Sequence, residues 1–354
     1  MRKPGSTFES GVYRNNYSRE SHGLGGALKA FWGARGQFAG QKPVRFEKAV
    51  NDPAFLMANR SVPTLTWVGH ATFLLQVEGL NVLTDPVFSR RVSPFVFAGP
   101  ERLAPLGLTL QELPPIDLVL LSHNHYDHLD EAAVKWLARS NPTLTFVVPL
   151  GVSKWFTARG ISSVVELDWW QDCTVGAAKV TALPAQHFSG RGLFDRNATL
   201  WCSLLLEVGQ RDEPQHGSGI ELTRPAAAVA IKAGNLSGAA CKKIYFAGDT
   251  GYSKDFADIG AAYPGIDLAL LPIGAYEPNW FMRSVHVNPE EAVRIFQDLG
   301  AAQAVAMHWG TFRLTLEALD EPPQRLTAAL AAQGIAPERF RVMRHGETSR
   351  MTLR

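Results

Sequence analysis

Residues 116–130 read IDLVLLSHNHYDHLD, an apolar run that ends abruptly in three histidines and one aspartate within six positions. That junction constrains the fold, because the ligand-rich loop has to emerge from the carboxyl end of a buried strand. Side chains alternate along extended backbone, so His123 and His125 project to one side, and the turn that follows can swing Asp127 and His128 toward the same point. Neutral imidazoles and carboxylates are the nitrogen and oxygen donors that zinc takes. A single histidine is ordinarily a core or surface residue, but four donors in six positions at a strand end ask for a metal. Crevices at strand ends are also where α/β folds place their sites.

The rest of the chain repeats this layout. TLTWV, TFLLQVE and NVLT, from Thr64 onward, read as short strands separated by turn-prone glycine and asparagine. A loop rich in Pro and Arg (85–115) leads to IDLVLLS. Asp130 then caps a helix that Asn141-Pro142 stops. LTFVVP, SVVEL, KVTALPA and LWCSLLLEV follow as strands, and after them KIYFAG, DLALLPI and AQAVAMH. Asn288 and Pro289 begin a helix before the last of these, PPQRLTAALAAQG makes another, and RFRVMRHGE reads as a closing strand. Strands followed by helices therefore occur twice, and two mixed sheets packed face to face with helices outside fit that order. The expected organisation is a basic arm over residues 1–60, wrapping a domain over 61–354 with an insertion at 209–242.

Three further donors follow apolar strands: His187 after KVTALPAQ, Asp249 in AGDTG and His308 in MHWGT. With His123, His125, Asp127 and His128 they make seven, one more than two three-ligand sites need. A carboxylate bridging two ions would use the seventh and leave each ion a position for a shared water. The count fits a two-metal hydrolytic centre.

HNHYDH resembles the HxHxDH motif of the metallo-β-lactamase superfamily. The longer stretches TWVGHATFLL, LTDPVFSRRVSP, ELPPIDLVLLSHNHYDHLD, ELDWW, FAGDTGY, PIGAYEPNWFM, VNPEEAVRIF, HWGTF and HGE are similar, in order, to the N-acyl-phosphatidylethanolamine-hydrolysing phospholipases D. The resemblance implies an α/β fold, the αββα sandwich, and two zinc ions per chain. It implies that His123, His125 and His187 hold one ion, that Asp127, His128 and His308 hold the other, and that Asp249 bridges. The implied reaction is phosphodiester hydrolysis by hydroxide generated at neutral pH, giving phosphatidic acid and an N-acylethanolamine. Other readings stay open: the same centre acting on a lactone, a thioester or a nucleotide phosphodiester, or a metal-binding protein without activity.

Outside the ligand set, Asp85 in LTDP either orients a ligand histidine or caps a turn, and His70 in VGHAT makes a structural hydrogen bond behind the ligands. Asp127 is also a catalytic candidate, with His286 and Tyr126. Tyr276, Trp280 and His345 are candidates for contact with substrate. His286 or a metal-bound water would return a proton to the leaving alkoxide. His22 and His216 read as surface residues, and Trp169-Trp170 first as core. Cys173, Cys202 and Cys241 are too scattered for a disulfide frame or a CxxC metal site.

Charge bounds the partners. The net charge is +2, and residues 1–60 hold ten Lys/Arg against four Asp/Glu, which leaves −4 for residues 61–354. A nucleic-acid substrate is therefore disfavoured. A basic arm can rest on an anionic membrane surface, but such an arm is more often a solvated wrapping segment. No apolar run is long enough to span a bilayer, and no h-region follows the basic start. The expectation is a cytoplasmic protein, peripheral at the inner membrane face, acting on a phospholipid or another phosphodiester, with a homodimer left open.

Overall fold

A computed structural model describes residues 5–17, 44–95, 97–209 and 241–353. His22, His216 and most of the expected insertion lie outside the described residues, as does residue 18–43 of the arm.

Two seven-stranded mixed sheets make the body of the protein. The first contains β3 (Thr64–Gly69), β4 (Thr72–Val77), β5 (Leu80–Thr84), β6 (Leu118–Leu120), β7 (Thr145–Pro149) and β8 (Val164–Leu167), with β16 (Thr348–Arg350) beside β3. The second contains β9 (Asp172–Val175), β10 (Ala178–Leu183), β11 (Ser203–Val208), β12 (Lys242–Phe246), β13 (Leu268–Pro272), β14 (Gln303–Met307) and β15 (Phe340–Arg341). A separate hairpin pairs β1 (Thr7–Glu9) with β2 (Val12–Arg14).

The pairing repeats. In the first sheet β16, β3, β4 and β5 are antiparallel neighbours, and β5 to β8 are parallel. In the second, β9 to β12 are antiparallel and β12 to β15 are parallel. The doubling legible in the sequence is thus a doubling of topology, and the αββα expectation matches. The expected closing strand differs. RFRVMRHGE divides into the two-residue β15 in the second sheet and a turn through His345-Gly346-Glu347 that delivers β16 to the first.

Alternation along each strand builds the layers. In the first sheet Leu65, Trp67, Phe73, Leu75, Leu118, Leu120 and Val147 face the core shared with the second sheet. Val68, Leu74, Val119, Leu121, Phe146 and Val148 face the other way, against Val134 and Leu137 of the helix Glu131–Ser140 and Phe156 of Ser153–Thr157. Each such side chain, fully buried, contributes about 1.5–3 kcal/mol. Asp130 starts the first of these helices by accepting from the N–H groups of Ala132 and Ala133. The helix Pro289–Asp298 starts with a reciprocal pair, Asn288 with Glu291, and with Pro289 in its first turn, where a missing N–H costs nothing.

Candidate metal centre

The carboxyl ends of β3, β5, β6, β10, β12 and β14 meet at one edge of the sandwich, and each delivers a polar side chain there. They deliver, in turn, His70, Asp85, the 123–128 loop, His187, Asp249 and His308. The backbone bends sharply to do so. His70, Asp85, Ala275 and His308 have φ of 54°, 27°, 65° and 59°, in the left-handed region. Non-glycine residues hold that region at a cost of about 1–3 kcal/mol each, which the surrounding packing has to over-determine. Two glycines permit the close approach. A Cβ on Gly248, whose φ is +58°, would lie 2.5 Å from Ser122 Cβ, and one on Gly274 would lie 2.2 Å from the His308 carbonyl oxygen.

The side chains form two adjoining groups. His125 Nδ1 lies 2.8 Å from His123 Nε2 and 3.3 Å from His187 Nε2. Asp127 Oδ2 lies 3.5 Å from both His128 Nε2 and His308 Nε2. Between the groups sits the buried Asp249. Its Oδ2 is 3.1 Å from His128 Nε2, 3.8 Å from His187 Nε2 and 3.9 Å from His123 Nε2, and its Oδ1 is 3.1 Å from His308 Nε2. The seven candidate ligands are therefore brought together, with His286 beside them, its Nδ1 4.0 Å from Asp249 Oδ2.

The far nitrogens of the rings decide which way the lone pairs point. His187 Nδ1 donates to the Val285 carbonyl at 2.8 Å, so its Nε2 faces the centre as an acceptor. His128 Nδ1 is 2.6 Å from Asp85 Oδ2, which turns its Nε2 toward the centre. The Ser122 hydroxyl donates to Asp85 Oδ2 at 2.5 Å, so its oxygen accepts from His123 Nδ1 at 2.8 Å. Asp85 thus orients His128 directly and His123 through Ser122. His70 Nε2 holds Asp127 Oδ2 at 3.1 Å, and its ring packs on His308 at 4.0 Å. Asp85 and His70 both stand behind ligand candidates.

Electrostatics follow from this crowding. Burial drives the protonated forms of His123 and His187 well below the ordinary imidazole range, and those of His125 and His286 to about 4. Burial acts the same way on His128 and His308, but the carboxylates win, with Asp249 the strongest, raising His128 well above that range and His308 to about 9. Burial also raises Asp127 and Asp249, and neighbouring histidines, His128 first, outweigh it and hold both well below the usual carboxylate range.

These residues fit a divalent metal. His128 Nε2, His308 Nε2 and Asp249 Oδ1 are buried and have no hydrogen-bond partner of acceptable geometry. Buried polar atoms are rarely left so. The donor atoms of His123, His125 and His187 lie within 4.8 Å of one another, as do those of His70, Asp127, His128 and His308. Buried imidazoles oriented by other groups, with carboxylates among them, are the donor set of a hydrolytic metal site.

The expected catalytic and substrate residues divide. Tyr126, the catalytic candidate, is half-buried within the ligand loop, its ring 3.9 Å from the Arg191 guanidinium. Trp280 is 42% exposed on the short helix Asn279–Met282. Tyr276 and His345 are not brought to the ligand cluster. The Tyr276 hydroxyl is 2.8 Å from Glu321 Oε1, under the helix Glu321–Ala332. His345 is buried against Trp67, with Nε2 3.0 Å from Thr311 Oγ1, which accepts from the His70 N–H at 2.7 Å. Its place is one layer behind His70.

Two residues escaped the sequence reading. The Arg191 guanidinium donates to the Asn124 and Leu129 carbonyls, each at 2.8 Å, and so fastens the loop that carries the four clustered ligand candidates. Asn15, in the amino-terminal segment, pairs with the His187 backbone. Nothing in SGRG or RNNY announces these partners, because each bond spans more than 60 residues.

Comparison with known proteins agrees with the fold. The family described as "Beta-lactamase superfamily domain" matches residues 80–233 and 213–309. An uncharacterized protein of Mycobacterium tuberculosis is 42% identical over 282 residues, covering 78% of this chain and 66% of its own length. The chain thus spans just under two thirds of that relative. An N-acyl-phosphatidylethanolamine-hydrolyzing phospholipase D of Caenorhabditis elegans is 37% identical over 279 residues, covering 76% of this chain and 70% of its own. Among solved structures, a metallo hydrolase from Ignicoccus hospitalis superposes with a TM-score of 0.56 at 20% identity, over 83% of this chain and all of its own. On the match over residues 80–309, the paired mixed sheets and the 37% identical relative, the chain belongs to the beta-lactamase superfamily, with the metallo-β-lactamase fold.

Proposed function

We propose that this chain is a dinuclear zinc-dependent phosphodiesterase that hydrolyses phospholipids of the N-acyl-phosphatidylethanolamine type, releasing N-acylethanolamine and phosphatidic acid. The observation that carries the reading is Asp249, a buried carboxylate with one oxygen toward His308 and the other toward His128, His187 and His123. A carboxylate so placed suits two ions held by His123, His125 and His187 and by Asp127, His128 and His308. When bound, the ions would lower the pKa of water to near 7 and polarise a phosphoryl oxygen. The substrate class is supported by the 37% identical phospholipase D.

The chain's own groups share the remaining work. Asp127, gripped by His70, holds its carboxylate toward the reacting centre. His286, neutral because burial lowers it to about 4 and with Nδ1 free of any hydrogen bond, would take the proton lost by the attacking water and pass it to the leaving alkoxide. Tyr126 and Trp280 border the approach, the first toward the phosphoryl group and the second beside the acyl chains. Tyr276 and His345 have no part in this reading, since their polar atoms are engaged elsewhere.

Among the described residues no helix is long and apolar enough to cross a membrane, so a two-chain lipid would be met at the surface of the bilayer. The test is product analysis with zinc-restored protein on N-acyl-phosphatidylethanolamine vesicles, with plain phosphatidylethanolamine, a lactone and a thioester as controls. Equal amounts of N-acylethanolamine and phosphatidic acid are expected. Intact lipid together with lactone or thioester cleavage would overturn the substrate class.

A further inference from the structure

His187 lies four residues beyond the end of β10 and one past the bridge between Gln186 and Gly251, and among the described residues no strand pairs with its main chain. The bonds it needs come from the other end of the chain. Asn15 Nδ2 donates to the His187 carbonyl at 2.9 Å, and Asn15 Oδ1 accepts from the His187 N–H at 3.2 Å. A side-chain amide carries a donor and an acceptor side by side, as a peptide group does, so Asn15 completes the pairing that an adjacent strand would have made. The same Oδ1 accepts from Trp201 Nε1 at 3.1 Å, which fixes the amide against a buried indole.

The segment around Asn15 is fastened on both sides. The Ser6 N–H donates to Asp168, the Tyr13 N–H to the Asn197 carbonyl and Asn16 Nδ2 to Asp255, while the Tyr17 carbonyl accepts from Gln186 Nε2. Of these contacts only that of Asn15 reaches a candidate ligand. With the Asn15 amide on its backbone and the Val285 carbonyl on its ring, His187 is held at both ends.

We infer that Asn15 is a positioning residue of the metal centre, and that the amino-terminal segment completes the His123, His125 and His187 site by presenting this amide. The inference rests on the ligand assignment for His187 and not on the identity of the substrate. Asn15 touches neither metal nor substrate in this account. It acts through the orientation of one ligand, so its loss weakens one of two ions selectively.

Metal retention tests this without any turnover measurement. The full chain is loaded with Zn2+, dialysed against graded dipicolinate, and its remaining zinc measured for the parent, Asn15→Ala, Asn15→Asp and Asn16→Ala. The parent retains two ions over the widest range. Asn15→Ala gives up one ion at chelator concentrations at least ten-fold lower, and keeps the other. Asn15→Asp, which keeps the acceptor and loses the donor, falls between and serves if the alanine variant does not fold. Asn16→Ala, which loosens the same segment at Asp255, retains metal as the parent does. The melting temperatures of the metal-free forms of Asn15→Asp and parent agree. Retention in both Asn15 variants equal to the parent would overturn the inference. So would equal loss in Asn15→Ala and Asn16→Ala, which would assign the effect to docking of the segment and not to the amide. A parent that holds fewer than two ions would overturn the metal centre itself, and this inference with it.

Discussion

Asp85 Oδ2 lies 2.6 Å from His128 Nδ1, and the same oxygen accepts the Ser122 hydroxyl that orients His123. One buried carboxylate therefore orients a candidate ligand in each of the two groups. Burial raises its carboxyl pKa, and the His128 and Ser122 contacts oppose that shift. Replacing Asp85 with Asn keeps the shape and removes the charge that holds the His128 N–H in place. Groups that orient metal-bound histidines are worth about 10–100-fold in metal affinity. Asp85→Asn is expected to weaken both ions by that order, and Ser122→Ala only the ion on His123. Zinc titration of the two variants checks this; equal affinity in Asp85→Asn and parent would show that the His128 ring is held by other contacts.

Asp127→Asn is expected to abolish activity while leaving the fold intact. Its carboxylate faces His70, His128 and His308 within 3.5 Å, and an amide has no charge to hold an ion among them. Metal assistance is worth several kcal/mol, and each 1.36 kcal/mol is tenfold in rate, so the loss is roughly 10³-fold. The measurement is turnover of bis(p-nitrophenyl) phosphate, with the melting temperature of the chelated protein as the control for folding. Comparable activity in variant and parent would put the catalytic centre elsewhere.

Gly248→Ala is expected to destabilise the protein and to displace its neighbour Asp249. The added Cβ would lie 2.5 Å from Ser122 Cβ, and the left-handed φ of +58° disfavours any side chain. Ser122 cannot yield easily, since its N–H and hydroxyl are both committed to Asp85. Overpacking of this kind costs about 1–3 kcal/mol. Thermal unfolding in chelator reads the folding cost and zinc titration reads the displacement. An unchanged melting temperature and unchanged affinity would mean that the loop after β12 and the start of the ligand loop pack less closely than this.

The surface near the centre predicts a membrane contact. Phe97, Leu193 and Phe194 are 80%, 91% and 99% exposed, and Phe95 is 56% exposed. The two loops adjoin, since Phe95, Tyr126 and Arg191 line one cavity of about 430 Å3. Exposed apolar side chains grouped in this way mark interaction sites. Burying one phenylalanine contributes about 1.5–3 kcal/mol, so the double variant Phe97→Ser, Phe194→Ser should bind vesicles at least about tenfold more weakly. Its turnover of the water-soluble diester should match the parent's. Sedimentation with anionic vesicles at low and high salt provides the reading; undiminished binding by the variant would place the contact elsewhere.

Local motifs were legible, and what depends on distant partners was not. HNHYDH, PAQH, AGDTG and MHWGT each follow an apolar strand, so seven donors could be located from hydrophobic pattern and chemistry alone. The doubled order of strands and helices led to two mixed sheets for the same reason. The closing segment was misjudged because RFRVMRHGE is apolar and polar by turns, which suits one strand, while pairing with β14 and β3 divides it. Tyr276 and His345 were candidates for contact with substrate. Glu321 and Thr311, which occupy them, are 45 and 34 residues away in sequence. Asn15 sits 172 residues from His187 in a segment with no periodicity to read.

Hydrolysis at phosphorus is tested by running the reaction on N-acyl-phosphatidylethanolamine vesicles in water enriched in oxygen-18 and weighing both products. Attack on phosphorus places the heavy oxygen in phosphatidic acid and leaves the N-acylethanolamine unlabelled. Label in the hydroxyl of the N-acylethanolamine, or release of free fatty acid in place of these products, would contradict it.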